Sequence, residues 1–462
     1  MPINSFDNYP MSWKPQLEHQ PHPLYIALAA HLEEDIKTGK LLPGTKLPPQ
    51  RELADYLDIN VSTVSRALKR CAQKGLLSGT VGSGTFVSYD ALACFNMLPI
   101  QSDSLIEMGS MFPECKSYDE LSNILKKMFA EEDFGRFFYY GSTEGPLWQR
   151  EAAVKLIRRM GYDTTADRLL PAAGGQNSLT AVLAGLFNAG DCIGVDPLTY
   201  PGIKSAANML SLKLVPISQR DGEIAEEGLL NACKNDRIKG IYIIPEFHNP
   251  TAHTMSMPCR KMIARIAIER DLIVIEDSIF SLFHDKPFKA VATYAPEQTI
   301  YLASFSKSIA PGLRLAYLAI PPRYHKALSD ALYNINLIVS PLLLELAGRA
   351  LASGKAEQLA ANQRESARKR NKIVDAILSD YTLKGPNVSI FRWLILPAKW
   401  RTGLEFEAAA CKVGVQVYGA ERFAVGNAKP PAAVRLAIST ITDVEDLKTG
   451  LYLLKKLLEQ PQ

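Results

Sequence analysis

The chain has 462 residues, 47% hydrophobic and 22% charged, with 29 Gly and 29 Pro. That composition supports at least one large core and about three domains, and it excludes disorder, collagen-like and low-complexity classes over most of the length. Lys+Arg 52 against Asp+Glu 48 leaves a formal charge of +4, close to neutral for this length, so any nucleic-acid surface must be local.

Seven cysteines at positions 71, 94, 115, 192, 233, 259 and 411 form no C-x-x-C pair. An odd, scattered set reads as buried free thiols in a reducing cytosol, with no disulfide framework and no metal site. Residues 1–15 hold Asp7 and Trp13 but no basic stretch followed by an apolar run, so they do not read as a signal peptide. No stretch reaches 18 uninterrupted apolar residues. A soluble, cytoplasmic protein is expected.

The first periodic segment, residues 24–38, sets Leu24, Ile26, Leu28, Leu32 and Ile36 mostly on one helical face and ends at Gly39. Pro43-Gly44 makes a turn, and Pro48-Pro49 introduces a second helix over 50–57. Asn60 is positioned to cap a third helix over 61–74. Two short helices around a three- or four-residue turn suggest a helix-turn-helix. In the third helix Val64, Ala67, Leu68 and Cys71 face a core, and Ser62, Thr63, Ser65, Arg66 and Lys69 lie opposite. Residues 62–75 carry four basic side chains and no acidic one. An isolated basic helix is more often a solvated face; here the helix-turn-helix spacing favours base contacts from the polar first turn and phosphate contacts behind it. A Gly-rich run over 79–87 then reads as a β-hairpin, in which Gly82 and Gly84 permit close backbone approach.

Together, residues 47–87 resemble the winged helix-turn-helix of GntR-family transcription factors. The resemblance implies binding of double-stranded DNA by Arg51, Ser62, Thr63, Ser65, Arg66 and Lys69, with a wing at Gly82, Ser83 and Gly84 touching the minor groove. Val61 stands where many members carry a basic residue, and Thr80-Val81 lacks the usual basic pair, so modest affinity per module is expected. The module is assigned to 21–88 and a short linker to 89–105.

Downstream, short apolar segments alternate with helix-length ones. Strands are predicted over 192–195, 213–217, 241–244, 272–276, 300–303 and 315–320, the pattern of a buried, largely parallel sheet in an α/β domain. Ligands bind such sheets outside the carboxyl ends of the strands. Three signals stand there at nearly even intervals: Asn249 in His-Asn-Pro-Thr, Asp277 after Glu276, and Lys307 in Ser-Phe-Ser-Lys, with Arg314 downstream. An amide, a carboxylate and a lysine flanked by serines suit a pyridoxal 5′-phosphate site. Lys307 would form the internal aldimine and Asp277 would hold the pyridinium nitrogen protonated. Asn249 would donate to the ring oxygen, and Ser304, Ser306 and Arg314 would bind phosphate. Gly174-Gly175-Gln176, ahead of an apolar helix, offers backbone N–H groups as a second phosphate contact.

Residues 140–440 are similar to the fold-type-I, aspartate-aminotransferase-like enzymes. The resemblance implies that Tyr200 stacks on the cofactor ring, that Tyr140 reaches the phosphate of the neighbouring subunit, and that Arg435 holds a substrate carboxylate. Ile279 and Phe280 stand where the family has a tyrosine, Ala252 replaces a glycine after Asn-Pro-Thr, and Met111 stands for another. With both modules, about nine-tenths of the chain resembles the MocR-type subgroup of GntR regulators: a mainly α winged helix-turn-helix followed by an α/β aminotransferase-like domain over 106–462. In that domain a large lobe is placed at about 145–335 and a small lobe at 106–140 and 340–462. The implied function is a transcriptional regulator that senses an amino compound, or the cofactor itself, as a head-to-tail homodimer. A working aminotransferase carrying a DNA-binding domain is the alternative.

Overall fold

The computed structural model describes residues 11–16, 23–38, 40–80, 84–94, 105–114 and 118–460. These fall into two compact units, one drawn from Met1–Pro99 and Glu421–Lys429, the other from Ile100–Ala420 and Pro430–Gln462.

In the first unit, helices Leu24–Lys37, Gln50–Leu57 and Val61–Gln73 precede a hairpin of strands Leu77–Thr80 and Gly84–Val87. Leu28, Leu32, Ile36, Leu53, Val64 and Leu68 close a single core, while Leu24, expected on the buried face, is 50% exposed. Asp58, in the left-handed conformation, ends the second helix, and Asn60 Oδ1 accepts from Ser62 N at 2.8 Å to start the third. One contributor was not anticipated. Trp13 enters this core, and its indole Nε1 donates to the buried Asp35 Oδ2 at 2.8 Å. The wing residues Gly82 and Ser83 lie outside the described residues.

The second unit is organised on a seven-stranded sheet. Its order is Leu169–Ala172, Ala316–Ala319, Thr299–Ser304, Ile273–Asp277, Gly240–Ile243, Cys192–Val195, Lys213–Pro216. The last five are mutually parallel; Ala316–Ala319 is antiparallel to both its neighbours. The reason is the connection: residues 305–315 are too few to carry a crossover helix, so the chain reverses. Leu169–Ala172, unpredicted, completes that edge. Reversal has a functional consequence, because it puts Arg314, at the start of its strand, on the same rim as Gly174, Ser304 and Asp277 at strand ends. Register aligns Ala172, Ala316 and Ser304 in one row.

A four-stranded antiparallel sheet, ordered Leu383–Lys384, Phe391–Ile395, Ala433–Ala437, Tyr418–Gly419, packs with helices Lys355–Ile377, Gly403–Lys412 and Val444–Glu459 through a second apolar core. Arg435 pairs with Trp393 and Tyr418 in this sheet. Among the described residues, five cysteines are free: Cys71 and Cys259 are buried, Cys192 and Cys233 half-buried, and Cys411 is exposed, against the expectation of uniformly buried thiols. No helix among them is long and apolar enough to cross a membrane.

Candidate functional site

The third helix of the first unit presents Ser62, Ser65, Arg66 and Lys69 to solvent, with Thr63 half-buried, because Val64, Ala67, Leu68 and Cys71 take the core face. Arg51 is exposed on the preceding helix, and Gly84 opens the second strand of the wing at φ +115°. Two features modify the sequence picture. The Arg66 guanidinium lies 4.1 Å from the centroid of the Tyr25 ring, a cation–π contact that restricts its rotamers. Lys74, one of the four basic residues, pairs with Glu33, so the unneutralised charge is concentrated toward the middle of the helix.

On the rim of the seven-stranded sheet, the loop into helix Gly175–Leu186 passes directly over two expected phosphate ligands. A Cβ on Gly174 would stand 2.7 Å from Arg314 Nη2, and one on Gly175 would stand 3.3 Å from Ser304 Oγ. Gly174 also has φ +90°, a backbone state that only glycine adopts without strain. The helix N-terminus, a guanidinium and a serine hydroxyl therefore share one small space, an arrangement that suits an anion. Ser304 and Ser306 are buried and their hydroxyls have no hydrogen-bond partner.

Asp277 ends its strand 8% exposed. Tyr242 OH donates to Oδ2 at 2.9 Å, while Oδ1 has no partner in hydrogen-bonding geometry. Burial pushes its carboxyl up to about 6, with the Tyr242 hydrogen bond and the Ile279 backbone N–H only partly offsetting this. Lys307 is half-buried and donates through Nζ to the carbonyl of Met111. Desolvation, then the nearby charges of Arg435 and Arg314, bring its amine down to about 8. A lysine at that value has an appreciable unprotonated, nucleophilic fraction at neutral pH.

Asn249 is buried, and its Oδ1 accepts from Arg435 Nη1 at 2.6 Å, leaving the amide nitrogen as its donor. Arg435, 4% exposed, also donates to Gly109 O and lies over the Tyr418 ring. Tyr200 donates to Gln176 Oε1 at 3.1 Å, and burial followed by the Asp277 charge raises its hydroxyl to about 12. Gln176 returns a bond from Nε2 to Gly202 O, so its side chain positions the Tyr200 loop and is not aimed at an anion. Thus Gly174, Gly175, Ser304 and Arg314 are brought together, as are Asn249 with Arg435 and Asp277 with Tyr242. Tyr140 is 84% exposed, in a run with Phe138 and Tyr139 at 75% and 76%. Phe280, where a ring-binding tyrosine would stand, is buried against Phe391 at 5.5 Å between ring centroids.

Sequence reasoning missed Tyr242, whose only signal was a hydroxyl inside a fully buried strand, and Tyr418, whose OH lies 3.1 Å from Ser110 Oγ. It also missed the carbonyls of Gly109 and Met111 as acceptors for Arg435 and Lys307. Among the described residues no cluster of His, Cys, Asp and Glu is placed to hold a metal.

Residues 114–450 match the family described as aminotransferase class I and II, and residues 24–87 match the bacterial regulatory proteins of the gntR family. The chain is 52% identical over 460 residues to the "uncharacterized HTH-type transcriptional regulator YdeF" of Bacillus subtilis (strain 168), covering 99% of each. Among solved structures it is similar to LysN, the alpha-aminoadipate aminotransferase of Thermus thermophilus complexed with N-(5′-phosphopyridoxyl)-L-leucine. That match has TM-score 0.69 and 23% identity, over 77% of this chain and 92% of that one. It is also similar to the kynurenine aminotransferase of Pyrococcus horikoshii, with TM-score 0.68 and 23% identity, over 78% and 93%. At that identity the two structures establish the fold alone. The chain belongs to the aminotransferase class I and II family and, with its gntR-family helix-turn-helix, is a DNA-binding transcriptional regulator of MocR-type architecture.

Proposed function

We propose that this regulator holds pyridoxal 5′-phosphate in its aminotransferase-like domain and responds to an amino compound that reaches the cofactor. The observation that carries the reading is the set of unsatisfied buried polar atoms, Asp277 Oδ1, Ser304 Oγ and Ser306 Oγ, on the rim that also bears the Gly174–Gly175 cradle. Each such group costs about 1–3 kcal/mol when left unpaired, and a ligand of matching polarity would satisfy all three.

When bound, the cofactor supplies an aldehyde reactive toward amines and a ring that takes up electron density. Lys307, with its amine near 8, is the residue to engage that aldehyde. Asp277 would hold a proton on the ring nitrogen, and Asn249 would orient the ring oxygen through its amide nitrogen. Gly174, Gly175, Ser304, Ser306 and Arg314 hold the phosphate. Tyr200, its loop fixed by Gln176, would lie against the ring. Arg435 takes the carboxylate of an incoming amino compound in place of the neutral oxygens it now binds. The exposed run Phe138, Tyr139, Tyr140 supports a second copy of the chain as its cover, with Tyr140 acting on the partner's phosphate in a head-to-tail homodimer.

On the DNA side, Arg51, Ser62, Thr63, Ser65, Arg66, Lys69 and the wing at Gly82, Ser83 and Gly84 are the contacts of this reading. The cofactor half is tested by absorbance titration of the purified chain with pyridoxal 5′-phosphate, followed by a panel of amino acids. A spectral shift on adding an amine, without accumulating ketoacid, is the expected result. Sustained ketoacid production would replace the sensor with an aminotransferase.

A further inference from the structure

The segment that carries Gly109, Ser110, Met111 and Phe112 has the character of a strap. On one side it is tied to the four-stranded sheet and its flanks. Met108 N donates to Gln416 O at 2.9 Å, and Ala437 N donates to Met108 O at 2.7 Å. Phe112 N donates to Thr440 Oγ1 at 3.0 Å, Thr440 Oγ1 donates to Ser110 O, and Ser439 Oγ donates to Phe112 O at 2.6 Å. On the other side its carbonyls are spent on the two cationic groups of the site: Met111 O accepts from Lys307, and Gly109 O accepts from Arg435. Phe112 adds its ring 5.6 Å from Lys307 Nζ.

We infer that residues 109–112 form a built-in competitor, a backbone strap that occupies the amine and carboxylate subsites and is displaced when a ligand takes Lys307. The inference rests on the cofactor reading above and adds to it a moving part. Peptide carbonyls are neutral acceptors, and a ligand that offers a covalent bond or a charged oxygen outcompetes them. Condensation of the Lys307 amine with an aldehyde forms one C=N bond and expels one water, which carries off the amine hydrogens from which Met111 O accepts. That contact ties the strap to the loop after a strand of the seven-stranded sheet, whereas the bonds to Ala437, Ser439 and Thr440 keep it at the end of a strand of the four-stranded one, and that to Gln416 keeps it on the short strand Val415–Gln416. Release therefore frees the strap from one sheet only. Along the chain, residues 106–112 come directly after the segment assigned as the linker.

Close approach of the strap depends on Gly109. A Cβ there would stand 2.7 Å from Tyr418 Cε1 and 2.8 Å from Cδ1. Gly109→Ala must push the strap off the Tyr418 ring and away from Arg435.

The test is hydrogen exchange by mass spectrometry on the full-length chain, with and without pyridoxal 5′-phosphate fixed by borohydride. Loading is expected to slow exchange over 174–178. Over 108–112 the N–H groups keep their bonds to Gln416, Glu107 and Thr440, but loss of the Met111 O anchor lets those bonds open more often and speeds exchange by about fivefold, one hydrogen bond's worth of opening. Gly109→Ala without cofactor should speed exchange over 108–112 by a similar factor and increase the rate at which Lys307 is labelled. A Lys307 adduct with unchanged or slower exchange over 108–112 overturns the strap and leaves the cofactor reading intact. Absence of any Lys307 adduct overturns both. Slower labelling of a folded Gly109→Ala variant also refutes the strap.

Discussion

Replacing Asp277 with asparagine should make the cofactor-free protein more stable while weakening its hold on pyridoxal 5′-phosphate. Asp277 is buried at a strand end with Oδ2 bonded to Tyr242, the Ile279 N–H facing the carboxylate, and Oδ1 outside hydrogen-bonding geometry. Its carboxyl sits at about 6, against an ordinary 3.8, because burial penalises the charge. A raised carboxyl value means that the folded chain keeps the proton to higher pH than the unfolded chain does. The group's contribution is therefore most favourable below 3.8 and is lost as pH rises through 6. Two pH units at 1.36 kcal/mol each amount to about 3 kcal/mol of lost stability by pH 7, and about 1 kcal/mol by pH 4.5. Asn at this position keeps an oxygen for Tyr242 and carries no charge. Urea unfolding of the cofactor-free wild type and Asp277→Asn at pH 4.5 and 7 should show the variant ahead at both, by the larger margin at pH 7. Glu276, raised to about 7 chiefly by burial, has its own slope in both proteins and cancels in the difference. Equal or lower stability of the variant at pH 7, or a margin independent of pH, would refute the reasoning. With cofactor present the order should reverse, since only the carboxylate holds a proton on the ring nitrogen.

Gly174→Ala combines a strained φ of +90° with a Cβ 2.7 Å from Arg314 Nη2, and should lower cofactor affinity at least tenfold by equilibrium titration, about 1.4 kcal/mol. Lys69→Ala should weaken DNA binding on every sequence alike and reduce the slope of log K against log salt by about 0.9, measured by fluorescence anisotropy. Tyr25→Ala removes the ring beneath Arg66 and should cost about 0.5–1 kcal/mol of DNA affinity, an effect absent when Arg66→Ala is already in place. Leu53→Ala, at a fully buried position of the first unit, should cost that unit about 2–5 kcal/mol in thermal or urea unfolding.

How much of this was legible in the sequence follows from where each signal resides. Asn249, Asp277 and Lys307 stood out because polar groups at or just beyond the ends of apolar strands break a pattern; Asp277 ends its strand, and Arg435 both bonds Asn249 and acts on the Lys307 amine. Asn60 was legible because capping is a local interaction between a side chain and the backbone two residues on. Tyr242 was not, since a tyrosine in the run Gly240–Ile243 is equally consistent with ordinary packing until its hydroxyl is found against Asp277. Leu169–Ala172 escaped because four residues including a proline carry too short a period. Trp13 with Asp35, and Tyr25 with Arg66, join positions far apart in the chain, and nothing local marks them. The strap is the extreme case. Its working atoms are the backbone oxygens of Gly109 and Met111, which every residue possesses.

Whether this transcriptional regulator keeps a working cofactor lysine is decided at Lys307. The purified protein is incubated with pyridoxal 5′-phosphate, reduced with borohydride, digested and sequenced by mass spectrometry. A pyridoxyl group is expected on Lys307 and no label at position 307 of Lys307→Ala, a variant that still binds DNA. Unmodified Lys307 in the folded protein, or a label scattered over surface lysines, would contradict it.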